Sequence, residues 1–199
     1  MIRKHHLKAK TIADVGCGAG LVLLALARAA RGKGIRYTGF DISPQAIGLC
    51  RKIKRANIKF ARLDFLRDKK HYDLALALDV VEHIEDCYGY LRRLRRRARY
   101  KIFIIPLDLS SWFIWRESKV IRDARERTGH LHHFSEYTAL DTLRQTGYRI
   151  IDARFIRHPF GYSQPRHRLM AAIRNLGFAI NPRLTARLLG GASLIVLAK

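Results

Sequence analysis

The stretch Asp14-Val15-Gly16-Cys17-Gly18-Ala19-Gly20 sets three glycines behind an acid. At a strand-to-helix turn, glycines so spaced let the main chain turn tightly and come close to a ligand, and the helix start offers free N–H groups. Three more acids, Asp41, Asp64 and Asp79, each stand where an apolar run ends. A carboxylate at the position of Asp41 can accept hydrogen bonds from both hydroxyls of a ribose, and Asp64 falls where a purine would lie. Read singly, each acid fits a helix cap or a solvated loop. Read with the glycines, the acids describe one ligand-binding edge. The dinucleotide fingerprint G-x-G-x-x-G is not met, because Gly20 comes one residue early and Leu21 takes the third glycine's place, which disfavours a nicotinamide cofactor. Asp79-x-x-Glu82-His83 gathers two carboxylates and an imidazole, a donor set suited to a hard divalent cation, and His130, His132 and His133 offer further imidazoles.

Short apolar runs and helical patterns alternate along the chain. Thr11 to Val15, Ile35 to Phe40, Ile58 to Leu63, Tyr72 to Leu78 and Tyr100 to Ile105 read as strands. Helices are expected over Gly20 to Ala30, from Ser43-Pro44 to about Ala56, and over Glu85 to Arg99. Tyr72 to Leu78 is nearly all apolar after Asp73, as in a strand buried on both faces. This rhythm predicts an α/β fold, a mostly parallel sheet with helices on both faces. Ser135 to Thr146 reads as a helix, and Tyr148 to Ile156 and Ser193 to Ala198 as the sixth and seventh strands. Residues 157–191 carry prolines and glycines and are expected to hold short helices outside the sheet, within one domain spanning 1–199.

The ordered set Asp14 to Gly20, Gly39-Phe40-Asp41-Ile42-Ser43, Asp64-Phe65 and Leu78-Asp79-Val80-Val81-Glu82-His83 resembles the motifs of class I S-adenosylmethionine-dependent methyltransferases. Gly129 to Ser135 before a helix, Gly147-Tyr148, and Ala192 to Lys199 extend the resemblance over nearly the whole chain. It implies a Rossmann-like sheet of seven strands with the last antiparallel and inserted between the fifth and sixth. It implies S-adenosyl-L-methionine as cofactor. Gly16, Cys17, Gly18 and Gly20 would form the loop against its methionine part, and Asp14 would help hold the ammonium. Asp41 would take the ribose hydroxyls and Ile42 would lie on the adenine. Asp64 would accept from the adenine amino group beside the Phe65 backbone, and Leu78 and Asp79 would sit under the sulfonium. Relatives carry an N-terminal helical extension over the site, whereas only Met1 to Lys10 precede the first strand here. The lid is therefore expected from elsewhere, or the site is open.

Methyl transfer from a sulfonium is an in-line displacement that needs a general base only when the acceptor must lose a proton. His83, directly after the fourth strand, is the expected base; it also fits a helix-capping role. Asp79-x-x-Glu82-His83 is similar to the metal-binding Glu-x-x-Glu-His of ubiquinone-biosynthesis O-methyltransferases and small-RNA 2′-O-methyltransferases, with Asp79 in place of the first Glu. Whether a metal is used stays open. Trp112, Phe113 and Trp115 follow the fifth strand and would form an acceptor wall or the core of a covering helix.

Across 199 residues, 39 Lys and Arg against 16 Asp and Glu give a net charge of +23, so an anionic partner is expected. The run Arg92 to Arg99 is the densest part. Arg168 to Leu189 mixes Leu, Met, Ile and Phe with Arg, as an interfacial segment does. The reading that follows is an O-methyltransferase of a small-molecule or lipid-like acceptor, with peripheral contact to an anionic membrane. An RNA methyltransferase, or a basic binding protein that keeps the fold without catalysis, are the alternatives. Three cysteines without metal-ligand spacing, and apolar runs far short of a membrane span, point to a reduced, cytoplasmic setting.

Overall fold

The computed structural model describes residues 1–30, 34–115, 122, 124–157 and 165–199. Seven strands, β1 (Thr11–Val15), β2 (Arg36–Asp41), β3 (Ile58–Arg62), β4 (Tyr72–Leu78), β5 (Ala98–Pro106), β6 (Ile150–Arg157) and β7 (Ala192–Ala198), form one sheet in the order β3-β2-β1-β4-β5-β7-β6. The first five are parallel, and β7 runs antiparallel to both β5 and β6. The Rossmann-like architecture expected from the motif order is present. The strand order reverses between β1 and β4, so the crevice outside their carboxyl ends is where such a sheet binds ligands.

Alternation along the strands builds two cores. Ile12, Leu74, Leu76, Ile102 and Leu197 face one side with Leu23 and Ala27 of α1 (Leu21–Ala29). Ala13, Ala75, Ala77, Phe103 and Val196 face the other with Tyr90, Leu91 and Leu94 of α3 (Cys87–Arg95). Alanines at the centre of that second face leave room for the larger side chains of α3 to interdigitate.

Two helices are shorter than expected. The helix opened by Ser43, whose hydroxyl accepts from Ala46 N, is α2 (Pro44–Cys50) and ends six residues before Ala56. Lys52 N and Ile53 N bond back to Leu49 O and Cys50 O, three residues away, as an unwinding helix end does, and Arg51, Lys52, Lys54 and Arg55 would crowd like charges on a continued helix. In α3, capped by Asp86 to Gly89 N at 2.8 Å, the helix stops at Arg95. Arg96 and Arg97 form the turn, Arg97 donates to Leu66 O at 2.8 Å, and Ala98 and Arg99 already belong to β5. The arginine run thus straddles helix, turn and strand at the amino end of the sheet.

α4 (Ser111–Trp115) follows β5, and α5 (Glu136–Gln145) starts from a capping box of Ser135 and Thr138. Between β6 and β7 lie α6 (Pro165–Ile180) and α7 (Pro182–Leu189), within the segment 157–191; residues 158–164 of that segment are outside the described ones. Among the described residues no helix is long and apolar enough to cross a membrane.

Candidate active site

At the end of β1 the loop turns on Gly16, Gly18 and Gly20, all at positive φ of 66°, 52° and 75°. Each glycine meets a different neighbourhood. A Cβ on Gly20 would stand 2.6 Å from the Phe60 ring, and one on Gly16 would stand 3.0 Å from Val80, whereas one on Gly18 would meet nothing within 4 Å. The middle of the loop therefore faces open space, as a ligand cradle does. The Gly18 backbone is tied at both ends: its N–H donates to Asp41 Oδ2 at 2.9 Å, and its carbonyl accepts from Cys50 Sγ at 3.1 Å. Asp41 Oδ1 accepts from Ser43 N at 2.9 Å. Both carboxylate oxygens are thereby aimed, each with a lone pair left for a ligand hydroxyl.

Asp14 is buried, and its carboxyl is pushed up to about 7 by burial and then by the charge of Asp41. Burial also raises the thiol of Cys17, so neither it nor the buried Cys50 is a reactive thiolate. Ile42 stands 73% exposed beside Asp41, an apolar side chain that the core does not use. Asp64 is exposed, and its Oδ1 accepts from Leu66 N at 3.0 Å, capping the short turn Phe65–Arg67. The Phe65 side chain is core, 5.2 Å from the Phe40 ring centroid, which leaves only its backbone for the edge. Leu78 is half-buried at the end of β4. Asp79 follows with a positive φ of 53°, a strained conformation for a side-chain-bearing residue of the kind that collects at functional sites.

A second cluster lies beyond Asp79. Glu82 is fully buried, and among the described residues neither of its carboxylate oxygens has a hydrogen-bond partner. Burial, reinforced by Asp79 and Asp108, pushes its carboxyl up to about 8. Its backbone carbonyl accepts from Leu131 N at 2.7 Å and His132 N at 3.1 Å, which fastens the histidine loop to the turn Val81–His83. His83 Nδ1 donates to Gly129 O at 3.0 Å, so in the neutral ring Nε2 is the basic nitrogen; it lies 3.9 Å from Glu82 Oε1. Asp108 Oδ2 is 2.7 Å from His130 Nδ1 and 3.3 Å from His133 Nδ1. The His83 and His130 rings meet edge-on with centroids 5.0 Å apart.

Among the described residues, two sets of potential ligand atoms each lie within 4.8 Å of one another: Glu82, His83 and His130, and Asp108, His130 and His133. Asp79 belongs to neither set, so the carboxylate–imidazole group is assembled differently from the Asp79-Glu82-His83 spacing. His132 is turned away, with Nε2 on Ile84 O at 2.8 Å. Sequence reasoning missed Asp108, although the signal was available: it stands just past the carboxyl end of β5, as Asp41, Asp64 and Asp79 stand at the ends of theirs. Of the aromatic wall, Trp112 and Phe113 are half-buried, and Trp115 is 76% exposed with its ring centroid 5.7 Å from that of Trp112.

The sheet order, the glycine loop on β1 and the acids at the strand ends define a Rossmann-like fold with a ligand-binding edge. The chain belongs to the methyltransferase domain family, whose pattern it matches over residues 3–153. It is 32% identical over 91 residues to the ubiquinone biosynthesis O-methyltransferase of Pelagibacter ubique, an alignment covering 43% of this chain and 36% of that protein. The chain thus aligns with about a third of the length of that curated relative. Among solved structures it resembles the methyltransferase of a Haloferax volcanii complex with the Trm112 methyltransferase activator (TM-score 0.66, 16% identity, 98% of this chain and 87% of that one). It also resembles magnesium protoporphyrin IX methyltransferase from Synechocystis PCC 6803 with bound SAH (TM-score 0.65, 18% identity, 99% and 77%). At these identities the structural likeness speaks for the fold.

Proposed function

We propose that the chain is an S-adenosylmethionine-dependent methyltransferase that methylates an oxygen of a small-molecule or lipid-like acceptor. The observation that carries the cofactor is Asp41: its two oxygens, oriented by Gly18 N–H and Ser43 N–H, stand beside the open space in front of Gly18. Asp41 would receive the two ribose hydroxyls, and Ile42 would cover the adenine, with Asp64 and the Phe65 backbone at its edge. Asp14 would face the ammonium, whose positive charge favours the ionised carboxylate that burial otherwise disfavours. Gly16, Cys17 and Gly20 complete the loop, and Leu78 and Asp79 close it from β4. When bound, the cofactor supplies an electrophilic methyl group on sulfur.

His83 is the residue proposed to accept the acceptor's proton. Its Nδ1–H is fixed on Gly129 O, which leaves Nε2 as the lone-pair nitrogen. The oxygen assignment is supported by the likeness to ubiquinone biosynthesis O-methyltransferases. A divalent cation is a second reading, favoured by the orphaned oxygens of Glu82: Glu82, His83 and His130 would hold it, and it would supply Lewis-acid polarisation of an acceptor oxygen. The arginine run lies at the far end of the sheet from this edge, which speaks against RNA being led to the site by it.

Equilibrium dialysis with S-adenosylhomocysteine and with NAD tests the cofactor: the first should bind and the second should not. Methyl transfer from labelled cofactor to a panel of phenols, lipid-linked alcohols and RNA then tests the acceptor class. Preference for NAD, or transfer to RNA alone, would overturn the respective part.

A further inference from the structure

Helix α6 packs inward through Phe178 and Arg174 and turns a second apolar stripe outward. Leu169, Ile173, Leu176 and Ile180 recur at the spacing of a single helical stripe, and all four are exposed, Ile180 at 77% and Leu176 at 66%. Among the described side chains of the helix, Arg174 is a cation on the inward face, only 9% exposed. Its Nε and one terminal nitrogen donate to Leu189 O at 3.0 and 2.8 Å, and its guanidinium lies 5.5 Å from the Phe113 ring centroid. An ordinary surface helix shows polar side chains, not a continuous apolar stripe, on its outer face.

The stripe continues onto α7, where Leu184 and Leu188 are also exposed. The hairpin is closely packed: a Cβ on Gly177 would stand 2.6 Å from Thr185 Oγ1, and one on Gly190 would stand 2.7 Å from the Phe113 ring. It is also placed at the site edge, because β7 begins beside Pro106 at the carboxyl end of β5. The neighbouring α4 adds exposed Ile114 and Trp115.

Cations frame the stripe. Arg183 and Arg187 form the row next to Leu184 and Leu188, and both converge on Glu136, at 2.6 and 3.2 Å, so two positive charges meet one negative. Arg157 reaches the other side, donating to Asn175 Oδ1 at 2.6 Å. A second copy of a chain carrying +23 would bring like charge to like. A span is excluded for α6 itself: its 16 residues give about 24 Å, short of the ~30 Å hydrocarbon core.

We propose that the α6–α7 hairpin docks in the plane of an anionic lipid surface, with the apolar stripe in the boundary between headgroups and acyl chains and the flanking arginines on the lipid charges. Docked so, the carboxyl edge of the sheet faces the bilayer.

The test is co-sedimentation of the full chain with phosphatidylcholine vesicles, with and without phosphatidylglycerol, beside the triple variant Leu169→Gln, Leu176→Gln, Ile180→Gln. The parent should bind only the anionic vesicles, more weakly as salt rises, and the variant should bind roughly a hundredfold more weakly. These side chains are already in solvent, so the melting temperature and S-adenosylhomocysteine affinity should not move. A second measurement needs no variant. The two tryptophans, Trp112 and Trp115, lie on α4, and acyl-brominated lipid should quench their fluorescence on docking. Three results would overturn the proposal: a parent that ignores anionic vesicles at low salt, a variant that binds and is quenched like the parent, or a parent dimer that the variant dissolves without any vesicle binding. Cofactor affinity, read alongside, stands or falls independently.

Discussion

Replacing Asp41 by Asn keeps the shape of the side chain and removes its charge. In the native site one oxygen accepts from Gly18 N and the other from Ser43 N, both at 2.9 Å. An amide can satisfy one of these donors, and its NH2 must then face the other. The loop loses one tie, and the ribose hydroxyls lose two charge-assisted acceptors for at best one neutral one. At ~1.5–3 kcal/mol per hydrogen bond to a charged group, less what the neutral bond retains, the net loss is about 3 kcal/mol. That corresponds to roughly a hundredfold weaker binding of S-adenosylhomocysteine by calorimetry. A second signature accompanies it. Asp14 is held up to about 7 by burial first and Asp41 second. Ligand bearing an ammonium prefers ionised Asp14, so parent affinity should rise as pH passes through that region. In the Asn variant, with the repelling charge gone, the rise should come at lower pH. An Asp41→Asn protein that melts like the parent and binds within a few-fold of it would refute the assignment of Asp41 to the ribose.

Gly20→Ala would place a methyl 2.6 Å from the Phe60 ring at a φ of 75°, and should cost about 2–4 kcal/mol, read as a lower melting temperature. Gly18→Ala, which meets nothing within 4 Å, should cost only about 1 kcal/mol of stability while damaging cofactor affinity more; an unchanged cofactor affinity would argue against a ligand in front of Gly18. Glu82 holds its proton in the fold up to about 8, against 4.5 for the ordinary carboxyl, so the stability it contributes is lost as pH rises across that window. Glu82→Gln should flatten the fall in melting temperature there, and an added divalent cation should raise the melting temperature of the parent but not of the variant. A variant as pH-sensitive as the parent would show that Glu82 is not the titrating group. His83→Ala should lower turnover by about 10²-fold or more with cofactor affinity unchanged, and a pH–rate profile that keeps its acid limb in the variant would remove His83 as the base.

The sheet was legible because its signals are local. Alternation between Ile12 and Ala13, or Leu74 and Ala75, sets a strand's two faces without reference to anything distant, and the glycine loop with Asp41 marks the edge by spacing alone. The ends of α2 and α3 were less so, since Cys50 and Arg97 are fixed by partners, Gly18 and Leu66, from other elements. The second cluster was half visible. Glu82 and His83 stand together in the chain, but nothing in their neighbourhood says that His130, rather than Asp79, completes the group, or that Asp108 aligns His130. The facing of α6 was partly legible: Arg168 to Leu189 reads as an interfacial mix, but which side of the helix packs inward is fixed by partners from elsewhere, Phe178 against the core and Arg174 on the Leu189 carbonyl.

The position of β7 has a consequence for biosynthesis. It pairs with β5 on one side and β6 on the other, yet it is translated after both. While the ribosome is still making α6 and α7, β5 presents a bare edge of unpaired N–H and C=O groups, and β6 has no neighbour. The nascent chain then carries an open sheet edge together with the apolar stripe of α6, a combination prone to pairing with other chains. Ala192 to Ala198 closes the first hazard only when it emerges. Premature termination before Ala192 should therefore yield aggregate rather than a smaller folded protein.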